Sequence, residues 1–180
     1  KRSSGHDTLR IVVNRNRMLR IFEESYEQLS AYTPEEWKGK LNVTFADERG
    51  QDAGGLTREW FTEIARQMFN PELGLFKLSD SGSTYYPNPR SFIQNEHLEY
   101  FKFIGRVIGK ALLEEQYIEC SFVKVLYKMI RGVPLTWHDV EDYDNDYYNN
   151  LKWLLNNDAE ILHQSFCETI DFFGKPEVHD

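Results

Sequence analysis

Two features of the sequence predict an α+β domain that is mostly α-helical. Apolar residues recur at spacings of three and four over long segments, whereas period-two alternation is confined to short, scattered ones. A third observation bounds the size: 180 residues, 41% hydrophobic and 14% aromatic, suffice for one domain with a sizeable packed core. No internal repeat or low-complexity tract is present.

Residues 1–13 read as an extended lead-in, with the first six, Lys1 to His6, as tag or linker. Residues 14–31 form an amphipathic helix through Met18, Ile21, Phe22, Ser25 and Leu29. Thr33-Pro34-Glu35-Glu36 starts a second helical turn: Thr33 caps, Pro34 suits the first helical position, Glu36 completes a capping box, and Trp37 is its apolar residue. Leu41 to Phe45 alternates with period two, as a half-buried strand does. After the charged turn Asp47-Glu48-Arg49-Gly50, a helix runs from about Leu56 to Phe69, with Trp60, Ile64 and Met68 on one stripe; Asn70-Pro71 stops it. Leu75 to Leu78 is a short strand, and Ser79 to Pro89 a loop or hairpin. Asn95 begins the strongest helix. Leu98, Phe101, Phe103, Ile104, Val107, Ile108, Ala111 and Leu112 make so broad an apolar face that it reads as central and buried, with Gly105 and Gly109 admitting close packing of another element. Further helices follow over Ser121–Arg131, stopped by Gly132, at a capped start on Thr136, and over Asp146–Asn156 with Tyr147, Leu151, Leu154 and Leu155 as its apolar residues. Ser165 to Ile170 is a short strand, and Phe172 to Pro176 a turn.

The net charge of −8 argues against a nucleic-acid surface, which needs concentrated Lys and Arg. The early basic residues, Lys1, Arg2, Arg10, Arg15, Arg17 and Arg20, read as a solvated helix face. No apolar run is long enough for a membrane span. Two cysteines make no disulfide framework and suit a reducing compartment, so the expected location is cytoplasmic or nuclear.

The stretch GQDAGGLTREWF, Gly50 to Phe61, has the outline of a glycine-rich phosphate loop without its chemistry. It matches neither nucleotide pattern, Asp52 and Glu48 would repel an anion, and no lysine follows. It reads instead as a structural elbow: Gly54 and Gly55 permit a sharp reversal, Arg58 and Glu59 bond to neighbouring loops, and Trp60 enters the core. The five histidines (His6, His97, His138, His163, His179) lack metal-ligand spacing, and the acidic run from His138-Asp139 through Glu141, Asp142 and Asp146 reads as a solvated face. No metal and no cofactor is expected. Cys120 and Cys167 each stand among apolar residues beside a Glu, which favours a structural over a nucleophilic role. The residues alone thus give an acidic, helix-rich domain with no catalytic centre, and a small-molecule enzyme is disfavoured.

The order and spacing of several blocks resemble the HECT-type ubiquitin ligases. They are Ile21 to Tyr26 (IFEESY), Gly54 to Phe61 (GGLTREWF), Met68 to Pro71 (MFNP), Gly74-Leu75-Phe76, His97 to Arg106 (HLEYFKFIGR) and Tyr147 to Asp158 (YYNNLKWLLNND). The wording of Gln51 to Leu56 is closer to the branch of very large ligases than to the WW-domain branch, which has an aromatic at the position of Ala53. The resemblance implies two lobes on a flexible hinge: an N-lobe that binds the ubiquitin-conjugating enzyme, and a C-lobe whose cysteine accepts ubiquitin as a thioester and passes it to a lysine of a protein substrate. Residues 14–172 would be the large helical subdomain of the N-lobe and 173–180 the start of its small subdomain. Neither Cys120 nor Cys167 matches the catalytic position, so this segment alone is expected to be inactive. Some N-lobes also hold a second, non-covalent ubiquitin. On that resemblance the contacts would be Tyr26, Ala53 in place of the aromatic, and a third position aligning near Phe122 or Leu126. The competing reading is a non-enzymatic helical interaction domain of the same fold.

Overall fold

The computed structural model describes residues 8–46, 54–162, 168–172 and 175–179. The chain opens with β1 (Leu9–Val13), a 3-10 segment over Arg15–Arg20, α1 (Ile21–Leu29) and β2 (Leu41–Phe45). β1 and β2 pair in parallel, Leu9 opposite Leu41 through Val13 opposite Phe45. Both strands bury alternate residues, so Leu9, Ile11 and Val13 share an apolar face with Leu41, Val43 and Phe45. The segment read from sequence as an extended lead-in therefore contains a core strand. In sequence Leu9 to Val13 is an apolar run broken only by Arg10, and the alternation appears only in the burial, where Val12 is exposed; its partner lies a whole crossover away, through α1. The open edge of β1 is closed by a side chain: Gln28 of α1 accepts from the Val12 N–H (3.0 Å) and donates to the Val12 carbonyl (2.9 Å).

The 14–31 helix is divided. Arg17 leaves helical geometry, and the regular α-helix starts only at Ile21. The capping box at Thr33 is present: the Thr33 N–H and hydroxyl donate to Glu36, whose own N–H donates to the Thr33 hydroxyl (3.3 Å). These bonds hold Glu36 below the usual carboxylate range, and Trp37 goes into the core.

Next come α2 (Gly55–Met68) and the antiparallel hairpin of β3 (Phe76–Leu78) and β4 (Tyr85–Pro87). Then follow α3 (His97–Leu113), α4 (Lys124–Ile130), α5 (Asn145–Asn156) and the antiparallel pair β5 (Glu168–Phe172) and β6 (Lys175–His179). The core gathers β1, β2, α1, α2 and one side of α3, with Trp60, Phe22, Phe61, Ile64 and Met68 fully buried. Gly132 ends α4 in the left-handed conformation (φ 66°), and its N–H donates to Met129.

Three expectations need correction. α3 is not buried all round: Phe103, Ile104, Val107 and Ala111 face the core, but Leu98 and Leu112 are 68% and 76% exposed. Gly105 and Gly109 lie on the exposed side, with nothing within 4 Å of where a Cβ would stand, so no element packs onto them. In α5 the buried residue is Tyr148, stacked on Trp137 at 5.3 Å, whereas Tyr147 and Leu155 are exposed. A broad apolar stripe sets which helix faces are able to pack; the neighbours present decide which of them do.

α3 is locked to the first half of the chain by polar side chains. Arg106 donates to the Tyr32 carbonyl (3.1 Å), satisfying a group just past α1. Lys110, 2% exposed, reaches the Gly39 carbonyl and the Glu114 carboxylate (2.8 Å), and Glu114 in turn accepts the Leu41 N–H (3.0 Å). A buried ammonium is tolerated because carbonyl and carboxylate replace its water. Burial pushes the Glu114 pKa up, but the bonds from Lys110 and Leu41 and the charges of Lys110 and Lys40 outweigh it and hold the carboxyl below its ordinary value.

Candidate functional site

The elbow is seen from Gly54 onward; Gln51, Asp52 and Ala53 lie outside the described residues, as does Cys167. Gly54 has φ 94°, a region that side-chain-bearing residues rarely adopt, and its carbonyl accepts the Arg58 N–H as α2 begins at Gly55. Glu59 forms a two-pronged pair with Arg15, the second contact at 3.0 Å, and the Arg15 guanidinium lies 4.3 Å from the centre of the Phe45 ring. The elbow is thereby tied to the ends of both β1 and β2. Arg58 is exposed, and its carbonyl accepts the Thr62 hydroxyl. Trp60 has no exposed surface. Its indole N–H donates to the hydroxyl of Ser25 (3.0 Å), itself fully buried on α1, so one helix supplies the partner that the other's indole requires.

Two aromatic clusters flank α3. In one, Tyr26 meets Tyr100 edge-on at 4.8 Å and Phe103 at 5.5 Å, with Phe22 and Trp37 adjoining. Burial first, then the Glu96 and Glu99 carboxylates, raise the Tyr26 phenol above its ordinary pKa. In the other, Phe122 meets Phe69, Phe76 and Tyr127, and Phe76 meets Phe101 of α3. The described ring contacts thus place Tyr26 and Phe122 in separate clusters; Leu126 packs beside the core.

Cys120 is partly buried against the core, and loss of water alone pushes its thiol up to about 11. A group so protonated near neutrality is a poor nucleophile. The acidic run is not simply a solvated face. Asp139 pairs with Lys128 and caps the turn at Thr136; the Lys128 bond first, and then the Thr136 N–H, hold its carboxyl below the usual range. Asp142 accepts the Lys124 N–H, and Asp144 caps α5 through Tyr147 (2.8 Å). These side chains serve helix starts, a use that local spacing such as Thr136/Asp139 does announce. Among the described residues no group of three or more His, Cys, Asp or Glu is placed to hold a metal, and no helix is long and apolar enough to cross a membrane.

Comparison with known proteins decides the family. The sequence model of the HECT-domain (ubiquitin-transferase) family matches residues 62–180. The chain belongs to the HECT family. Similar curated relatives include the E3 ubiquitin-protein ligases UPL1 and UPL2 of Arabidopsis thaliana, each 46% identical over 178 residues, covering 96% of this chain. TOM1 of Saccharomyces cerevisiae is 43% identical over 161 residues, or 88% of the chain, and HUWE1 of Mus musculus 42% over 163 residues, or 89%. This HECT segment spans only 4–5% of the length of those relatives. The likeness to such long ligases agrees with the reading of the Gln51 to Leu56 wording.

Proposed function

We propose that this chain is the scaffold part of the N-lobe of a ubiquitin ligase. The parent protein accepts ubiquitin from a conjugating enzyme as a cysteine thioester and transfers it to a lysine of a protein substrate. The observation that carries the reading is the HECT match over residues 62–180 together with relatives that are E3 ubiquitin-protein ligases. The environment of Cys120 supports placing the accepting cysteine elsewhere in the parent: attack on a thioester needs a thiolate, and this thiol is held protonated. The part played by this segment is then to position other segments, which suits an interior pinned by Trp60–Ser25 and Lys110–Glu114, with the Arg15–Glu59 pair tying the elbow at the surface. In this reading the large subdomain runs to residue 172 and takes in β1 (Leu9–Val13) as well as residues 14 onward, and the parent works in the cytoplasm or nucleus.

The test is a thioester assay on the full-length protein with charged conjugating enzyme, resolved without reductant. A reductant-sensitive ubiquitin adduct that maps outside this chain supports the proposal. No adduct across a broad panel of conjugating enzymes overturns it in favour of an interaction domain. An adduct on Cys120 or Cys167 overturns the assignment of the accepting cysteine. Non-covalent ubiquitin binding through Tyr26, Ala53 and Phe122 or Leu126 is a separate proposal, and a ubiquitin titration that leaves the Tyr26 and Phe122 ring signals unmoved would refute it.

A further inference from the structure

The β3–β4 hairpin carries an open edge that the ligase reading does not call on. β4 has neighbours on both sides: β3 on one, and on the other Ser121 and Val123, whose carbonyl and N–H bond to Tyr85 at 2.7 and 3.0 Å. β3 pairs only with β4 among the described residues. Asn88 donates to the Leu75 carbonyl and Ser79 to that of Thr84, which fixes the phase of the ladder. Residues in an antiparallel strand alternate between facing the partner and facing away, so the backbone groups of Phe76 and Leu78 are turned to the open edge.

A groove of about 610 Å³ is lined by all three residues of β3. Phe69, Phe76 and Tyr85 contribute rings, and Pro71 and Pro89 contribute rigid apolar walls. Leu78 is 47% exposed beside them. Lys77 and Arg90 also line the groove and are exposed; neither side chain makes an ion pair or hydrogen bond among the described residues, in a protein of net charge −8. An open strand edge, an aromatic floor and two unpaired cations select one kind of occupant. An extended chain supplies the complementary backbone groups, an apolar side chain fills the floor, and flanking carboxylates meet the cations.

We propose that this groove binds an extended acidic–apolar segment of a partner protein, added as a third strand beside β3. Backbone bonds to Phe76 and Leu78 set its register. Lys77 and Arg90 discriminate in favour of acidic flanks and against basic ones. The proposal is independent of the ligase reading, because it concerns this hairpin and not the thioester.

The test titrates the isotope-labelled chain with the peptide acetyl-DEVFVDE-amide, with acetyl-KKVFVKK-amide as the charge-reversed probe. The expected result is a saturable shift of the Phe76, Lys77 and Leu78 amide signals, with a dissociation constant below about 1 mM. Hydrogen exchange at the Phe76 and Leu78 amides slows on binding, as strand addition requires. The lysine peptide binds about tenfold more weakly or worse, and Lys77→Glu with Arg90→Glu weakens the acidic peptide about tenfold at unchanged melting temperature. Several results overturn the proposal: no saturable shift at β3, equal binding of the two peptides, or unchanged exchange at Phe76 and Leu78. Self-association of the chain that Leu78→Asp abolishes also overturns it, since the face would then be an interface between copies.

Discussion

Replacing Trp60 by alanine tests whether the elbow is a device for seating an aromatic residue in the core. Trp60 has no exposed surface, packs edge-on against Phe61 at 4.9 Å, and donates to the Ser25 hydroxyl at 3.0 Å. Burying an aromatic side chain removes about 150–250 Å² from water. At about 25 cal/mol per Å² this is worth about 4–6 kcal/mol, an upper bound set against an extended chain. Measured truncations of buried aromatics fall at about 3–5 kcal/mol. Ser25 has its own cost: its fully buried hydroxyl loses its acceptor-side partner, at about 1–3 kcal/mol unless water enters the cavity. A domain of this size typically has about 5–15 kcal/mol in total, so the variant should be near the edge of folding. The assay is urea denaturation followed by circular dichroism at 222 nm, which does not depend on the tryptophan removed. The expected loss is about 3–5 kcal/mol, with a fall in melting temperature of roughly 6–20 °C. Ser25→Ala should cost about 1–3 kcal/mol in the natural background and much less in Trp60→Phe, because the indole N–H that needs it is gone. A Trp60→Ala loss below about 1 kcal/mol, or additive effects of Ser25→Ala and Trp60→Phe, would refute the reasoning.

Other substitutions address the remaining anchors. Gly54→Ala should destabilise by about 1 kcal/mol, because φ 94° strains a residue with a Cβ although no atom obstructs it. Gly109→Ala should instead stabilise by about 0.5–1 kcal/mol, because its Cβ enters open space on a regular helix; equal signs for the two glycines in thermal melts would contradict the fold. Glu114→Gln should cost about 1–3 kcal/mol at pH 7, toward the lower figure because the side chain retains 24% exposure. The folded pKa of Glu114 is depressed, so its charge-dependent contribution is complete above the ordinary value of 4.5 and lost as pH falls through the lowered one. The difference between natural protein and variant should therefore shrink on acidification, and a difference that grows would count against the pairing. Cys120 in the folded chain should alkylate slowly with iodoacetamide at pH 8, with a rate that climbs toward the thiol pKa of about 11; rapid labelling at neutral pH would exclude the desolvated setting.

How much could be read in advance differs from element to element. The Thr33–Glu36 box, the Gly132 stop and the Thr136 start are local, since the bonds that define them join residues a few positions apart; the Leu41 to Phe45 strand was legible from its alternation, though its ladder partner β1 lies far back in the chain. Their side-chain types and spacing carry the whole signal. The block pattern from Ile21 to Asp158 likewise gave the family before any geometry was known. The partner of Trp60 and the clamp of Arg15 on Glu59 were not legible, for they join positions 35 and 44 residues apart.

The sequence by itself therefore determined the helix-rich α+β class, most element positions and the HECT family, because periodicity, caps and motif order are properties of neighbouring residues. Only the tertiary structure decided that Leu9 to Val13 is a core strand, that Lys110 is buried, that Gly105 and Gly109 face open space, and that Tyr26 and Phe122 belong to different aromatic clusters. Each of these depends on which distant surface covers a given face. Alternation or an apolar stripe makes a segment able to pack, while burial follows from the neighbour that the fold brings to it.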